Sequence, residues 1–535
     1  MTPSREELLR SDEEDLSRLG YAQQLLREMG GFSNFAISFS VISVLTGAVL
    51  LFGYGLKLAG PVINTVGWPV VSLFTLAVAA SMAELASLYP TAGGLYFWAF
   101  RLGGRGWAWT TAWFNMIGQV TITAGIDIAA AIYLIGTATR LLGVPPDAKI
   151  PVFGSVTSWS FQLLVMVLIL VPQVAINVFG IRLTSKLNDF SVWWHIAGGA
   201  LIVVLLVFLG TQHNPRDFLT RFAPVVTPLE ASSAKLPDGH VGPAVVVGDR
   251  AFPSPLFALF PSLVPLYAAG PFALAFVLGL LQAQWTYTGF DASAHVAEET
   301  VMARKNSAWG VFLSVAVSAA FGWLLLVVLT WCIPGGDVAS TAADPYPVLY
   351  IVDHNLPRAL ANLVAIVIGG AMWLCGLSSI TSMGRMWYAF ARDGGMPGSA
   401  FLRKIHPRWR TPVPAILVTA SLAVAICVYA AAVPVITSIS TIALYLAYGI
   451  PILLNLRNRL RGRGEFAARG NTAWSLGRLA PALNGIAVLW VGFIAVVFCL
   501  PPNELVLWTM LLLFFALGLY WAGSARWRFR GPAGG

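Results

Sequence analysis

The chain has 535 residues, of which 57% are hydrophobic and only 11% charged. A soluble globular protein carries about 25% charged residues, so this composition excludes a large soluble domain and points to a polytopic membrane protein. The net charge of +9 would suit a nucleic-acid partner, but the placement of the charges excludes that reading too.

Residues 1–31 are charged, with Leu8, Leu9, Leu16, Leu19, Leu25 and Leu26 among the charges. They lack the apolar core and cleavage site of a secretory signal; a cytoplasmic helix near the membrane is expected. Twelve apolar runs follow, at 33–57, 62–83, 107–139, 159–178, 190–210, 271–296, 308–333, 359–384, 413–431, 436–456, 482–500 and 503–523. Each is long enough for the ~20 residues that cross a bilayer. Ten of them are expected to make one core over 32–456, interrupted by a Pro-rich external loop, 211–270, whose later part is expected to be a surface or re-entrant lid. An Arg-rich cytoplasmic linker, 457–481, leads to two further helices and a tail, 482–535, expected to scaffold the core or to meet a second copy in a homo-oligomer.

With both termini in the cytoplasm, 25 of the 33 Lys and Arg fall inside, and four of the eight outside lie in the 211–270 loop. This is the positive-inside pattern, expected of a multi-pass protein of the plasma (inner) membrane. The basic balance therefore reports topology, and no nucleic-acid partner is expected. Cys332, Cys375, Cys427 and Cys499 lie far apart in apolar runs, with neither metal-ligand spacing nor a disulfide framework. No metal and no organic cofactor are expected.

The sixth run closes on AQWTYTGFDASAHVAEET, Ala283 to Thr300, where Gly289 and Asp291 stand in an otherwise lipid-compatible helix. A helix that stops inside a bilayer frees backbone groups that lipid cannot satisfy, so it survives only in protein or beside a cavity. The first run has Ser38, Ser40, Ser43, Thr46, Gly47, Gly53 and Gly55 in an apolar frame, with Gly47 near its middle. Two interrupted helices five runs apart are the expectation for an inverted five-plus-five repeat with the substrate site between them.

Four stretches, LGYAQQLLREMGGFSNFAISFSVISVLTG (19–47), AELASLYPTAGGLYFWA (83–99), WTYTGFDASAHVAEET (285–300) and SMGRMWYAFARDGGMP (382–397), resemble the amino acid–polyamine–organocation (APC) superfamily, with STIALYLAYGIPI (440–452) in weaker support. The similarity runs from Leu19 to about Arg459 and is greatest to the amino acid/choline transporter branch. The resemblance implies an all-α membrane protein of 12 transmembrane helices with the leucine-transporter-like inverted repeat and broken helices 1 and 6. Many superfamily members carry Gly-x-Gly in helix 1, whereas this chain has Leu45-Thr46-Gly47.

Unwound turns offer N–H groups to a carboxylate and carbonyls to an ammonium. The candidate substrate contacts are therefore Ser43, Val44, Leu45, Thr46 and Gly47 of helix 1, and Trp285, Thr286, Tyr287, Thr288 and Gly289 of helix 6. The resemblance also makes Trp285 a candidate aromatic gate. Gln119, Thr123 and Asp127 are four apart and share a face of helix 3. An intramembrane carboxylate is a functional hypothesis by default, so that face is a candidate for a substrate amine or a proton.

His195 of helix 5 falls where proton-coupled superfamily members place a Lys bridging helices 1 and 8. A proton is the expected coupling ion, with Ser378, Ser379 or Ser382 as its neighbours. Asp291 is expected to cap the restarting half-helix. Glu84 and Tyr89 after helix 2, and Glu298 and Glu299 beside Arg304 and Lys305, are candidate inner-gate residues. No enzyme motif and no Walker A sequence is present in the chain. The expected activity is secondary active import of a small-molecule amino acid or related amine, 4-aminobutyrate and choline types included; exchange in the same fold, or a channel, are the alternatives.

Overall fold

A computed structural model describes residues 4–145, 147–247, 250–268, 272–429, 433–463 and 473–532. Residues 464–472 of the Arg-rich linker, Arg469 included, lie outside the described residues, as do the first three and last three positions.

Among the described residues, ten helices are long and apolar enough to cross a membrane, and two shorter apolar helices lie at Phe272–Thr286 and Val413–Tyr429. The helices in chain order are α1 (Arg5–Arg18), α2 (Gly31–Ile42), α3 (Val44–Leu50), α4 (Phe52–Ala59), α5 (Trp68–Leu88), α6 (Leu95–Gly103), α7 (Arg105–Leu142), α8 (Trp159–Phe179) and α9 (Ile181–Leu209). They continue as α10 (Phe272–Gly279), α11 (Leu281–Thr286), α12 (Ala292–His295), α13 (Ala303–Trp331), α14 (Arg358–Arg392), α15 (Val413–Tyr429), α16 (Val433–Leu460), α17 (Ala480–Val497) and α18 (Glu504–Tyr520). Short helices and turns join them.

The long helix α7 is central: 89% of its apolar window is buried, and it packs on α14 and α16. By contrast only 11% of the α18 window is buried, so its apolar side chains face outward, as a lipid-contacting helix requires. On the other side of the core, α13 packs against α5 and α2, and α9 against α2 and α14.

The 211–270 loop holds more regular structure than its proline content suggests. Strands β1 (Lys149–Ile150) and β2 (Gly154–Ser155) form a small hairpin before α8, and β3 (Ser233–Lys235), β4 (Val241–Val247) and β5 (Arg250–Pro253) form an antiparallel sheet in the loop. Two short helices follow, at Pro255–Leu259 and Leu263–Ala268. Buried Glu504 at the start of α18 ties them down, accepting from the Leu256 N–H at 2.6 Å and from the Ser254 hydroxyl.

The amino-terminal segment is docked. Asp12 accepts the N–H groups of Met302 (2.7 Å) and Ala303 (3.1 Å), satisfying orphan donors at the start of α13. Asp15 pairs with Arg304 at 2.7 Å.

Candidate substrate site

Helix 1 breaks at Ser43, which adopts φ 30° and ψ 85° between α2 and α3. The sequence reading centred this turn on Thr46 and Gly47, so the break lies three residues earlier. A left-handed residue other than glycine costs roughly 1–2 kcal/mol, and the Ser43 hydroxyl offsets it with two partners. It lies 2.6 Å from Thr46 Oγ1 and 2.7 Å from His195 Nε2. Gly47 serves close approach instead: a Cβ there would sit 2.8 Å from the Thr286 Cα.

Helix 6 breaks between α11 and α12, where Gly289 has φ 83° and faces the Val41 side chain. Two tyrosines of α16 satisfy part of the freed backbone. Tyr445 donates to the Tyr287 carbonyl at 2.7 Å, and the Gly289 N–H donates to the Tyr448 hydroxyl at 3.0 Å. The first half of helix 1 and the restarted half of helix 6 are joined by side chains. Ser38 donates to the Phe290 carbonyl (2.7 Å) and accepts from the Ser293 N–H (2.8 Å), while Asn34 donates to the Ser293 carbonyl (2.9 Å).

Between the breaks lies a narrow cavity lined by Val41, Ile42, Thr46, Gly47, Ile122, Ile126, Trp285, Thr286, Thr288 and Cys375. Its walls are mainly apolar, and no lining side chain is charged. Backbone groups of both signs flank it. The Thr46 and Gly47 N–H groups are spent on the Ser43 carbonyl. Among the described residues, those of Val44 and Leu45 have no acceptor, and the carbonyls of Thr286 and Thr288 have no donor. The Trp285 and Tyr287 carbonyls are already taken, by Thr288 and Tyr445. The Trp285 ring lines the cavity while its indole N–H donates to Ser440 at 3.0 Å.

The helix 3 face points away from this space. Asn115 and Gln119 donate to Asp291, Thr123 bonds Ser379 at 2.7 Å, and Asp127 accepts from Gln173 of α8 at 3.1 Å. Ile122 and Ile126, one residue earlier on the helix, line the cavity instead.

His195 meets helix 1 through Ser43 rather than the serines of α14. Ser378 bonds Asn188, Ser379 bonds Thr123, and the Ser382 hydroxyl has no partner among the described residues. His195 Nδ1 lies 2.7 Å from the Ser191 carbonyl, which only accepts, so Nδ1 carries a hydrogen. In the neutral ring Nε2 then accepts from Ser43, which in turn accepts from Thr46, a lining residue.

Asp291 stands at the N-cap position of α12, but its side chain caps nothing. The carboxylate instead gathers Asn115 (2.8 Å), Gln119 (3.2 Å), Tyr448 (2.8 Å) and His295 (3.0 Å).

The inner-gate acids find other partners than Arg304 and Lys305. Glu298 pairs with Arg392 at 2.9 Å and Glu299 with Arg385 at 3.0 Å, both arginines on α14. Arg304 is engaged by Asp15 because α1 lies over the start of α13. Burial opposes the Glu298 charge, yet the Arg392 guanidinium and the Ala92 N–H outweigh it and hold the carboxyl below its ordinary value. Glu84 pairs with Arg459 at 2.7 Å and accepts from the Leu476 N–H, joining α5 to α16 and the chain beyond it. Tyr89 is buried, and its carbonyl accepts from Trp98.

Asn34, Ser293, Arg385 and Arg392 were not singled out from sequence, and Ser38 only as one of the polar residues of the first run, although all five lie in family-like stretches. A small polar residue in a membrane helix carries no mark of its partner; Asn115 alone had a signal, four residues before Gln119.

The sequence pattern described as "Amino acid permease" matches residues 29–522. The chain belongs to this amino acid permease family. It is 32% identical to the amino-acid permease BAT1 of Arabidopsis thaliana, over 97% of this chain and 95% of that protein. A BAT1 homolog of Oryza sativa is also 32% identical, over 97% and 94% of the two chains. The GABA-specific permease of Saccharomyces cerevisiae is 27% identical over 76% of this chain and 64% of its own. The permease is thus a multi-pass membrane transporter with a small-molecule amino acid substrate, and not an enzyme.

Proposed function

We propose that this permease imports a neutral amino acid by alternating access, with a proton as the coupling ion. The observation that carries the reading is the set of free backbone groups at the two helix breaks beside the cavity. The Val44 and Leu45 N–H groups suit a carboxylate, and the Thr286 and Thr288 carbonyls suit an ammonium. A zwitterion supplies both, and the apolar walls suit an uncharged side chain. Choline lacks the anion, and a polyamine brings charges that no lining carboxylate meets. The two broken helices, five apolar runs apart, support an inverted five-plus-five repeat of ten crossings, to which the last two apolar helices add two; the positive-inside charge pattern supports a plasma (inner) membrane with both termini cytoplasmic.

The hydroxyl chain supplies a coupling route. When His195 gains a proton, Nε2 becomes a donor to Ser43. Ser43 then donates to Thr46, and the Thr46 hydroxyl is released to donate to a substrate carboxylate. Protonation and substrate binding thereby favour each other.

Uptake into proteoliposomes tests this. With acid outside, a neutral apolar amino acid accumulates against its gradient, and His195→Ala loses the pH-driven component. A panel with choline, polyamines and 4-aminobutyrate tests the substrate class; uptake of cations in preference to zwitterions sinks it. Uptake that needs internal substrate and ignores the pH gradient shows exchange.

A further inference from the structure

A second buried histidine, on the cytoplasmic side of the helix 6 break, has partners that fix its proton count. His295 Nδ1 lies 3.1 Å from the Ala92 carbonyl, and Nε2 lies 3.0 Å from Asp291 Oδ2. A carbonyl cannot donate, so Nδ1 carries a hydrogen. A neutral ring would then set its bare Nε2 lone pair against a carboxylate oxygen, in a place where neither residue reaches solvent. One further proton must lie between them.

That proton belongs to the imidazole. Asp291 Oδ2 already faces the amides of Asn115 and Gln119 from α7. Its Oδ1 takes the Tyr448 hydroxyl of α16, whose own oxygen accepts the Gly289 N–H. Such a ring of donors suits an ionised carboxylate and leaves no room for a carboxylic O–H. Among the described residues, no Lys or Arg pairs with Asp291; the nearby Glu298 and Glu299 are occupied by Arg392 and Arg385.

We propose that His295 is a resident proton site, an imidazolium that clasps the 89–94 loop onto the restarted half of helix 6. The Ala92 peptide is gripped at both ends. Its N–H donates to Glu298 Oε1 at 3.1 Å, and its carbonyl accepts from His295. Loss of the proton sets lone pair against carboxylate, turns the ring from Asp291, and releases the carbonyl grip. The site differs from His195, whose partners accept a neutral ring, and its proton state does not depend on the transport reading.

The test is nitrogen NMR of the full-length protein, labelled with 15N-histidine in lipid bilayers. It is read at about pH 7.5, a unit above the ordinary imidazole value of about 6.5. Both His295 nitrogens are expected in the protonated range, and Asp291→Asn returns one to the unprotonated range. The signal is assigned by its loss in His295→Gln or, if that variant does not accumulate, by replacing the five other histidines in turn. An unprotonated His295 nitrogen in the wild type overturns the proposal, as does a doubly protonated ring that persists in Asp291→Asn. For the clasp, a cysteine introduced by Ala92→Cys should react several-fold faster with a cytoplasmic maleimide when combined with His295→Gln; an unchanged rate removes it.

Discussion

His195 and His295 are both buried inside the permease, and their partners alone give them different chemistry. A serine hydroxyl can donate or accept, so His195 has two stable proton states; a carboxylate can only accept, so His295 has one. On the proposed coupling route, the same logic makes Thr46 a working residue rather than wall. Thr46→Val removes its hydrogen bond to a charged group, worth about 1.5–3 kcal/mol. The expected outcome is a KM raised roughly 10- to 100-fold with little change in thermal stability, measured by uptake and by melting in detergent. Gly289→Ala acts on the backbone instead. At φ 83° it adds about 1–2 kcal/mol of strain and meets Val41, so both the melting temperature and uptake should fall.

At the scale of elements, the end of helix 6 is held against α14 by two ion pairs. The Glu299–Arg385 pair is buried on both sides. Removing one partner from such a pair costs about 3–5 kcal/mol, whereas removing both can be neutral. Arg385→Gln should therefore melt early, and Arg385→Gln with Glu299→Gln should recover most of the loss. Failure of that rescue would show that Arg385 acts through Asn177 and Thr381 instead. The Glu298 clamp has a stated pH dependence. Its folded value lies below the unfolded one, so its stabilisation is complete above about 4.3 and is lost as pH falls through the folded value. The melting temperature should fall in that acid range, and Glu298→Gln should flatten that dependence. Much of this was legible in sequence as sites but not as pairings. Gly289 announced its break because glycine and a neighbouring charge are anomalous in lipid. Ser43 did not, because a serine in a membrane helix reads the same whether it turns the chain or hydrogen-bonds within it.

At the scale of the whole molecule, the last two apolar helices are less separate than their linker implies. Trp490 of α17 stacks on Phe74 with ring centroids 4.4 Å apart, and its indole donates to Gln284 at 3.1 Å, on the first half of helix 6. Trp490→Phe keeps the stack but strands a buried amide oxygen, a cost of about 1–3 kcal/mol. A lower melting temperature is the expected result; an unchanged one would leave α17 as packing alone.

The sequence by itself determined the class of this protein and marked both interrupted helices, helix 6 at the residue that turns and helix 1 only to within a turn. These follow from composition and from the cost of freeing backbone in lipid, which are local properties of the chain. Tertiary structure decided which partner each polar group meets: Ser43 with His195, Asp291 with His295, Glu298 and Glu299 with α14, Asp127 with Gln173 outside the cavity. Asp291 and His295 lie four positions apart on one turn; the other pairings join residues 46 to 152 positions apart, and only the packing of helices brings their hydrogen-bonding groups within reach.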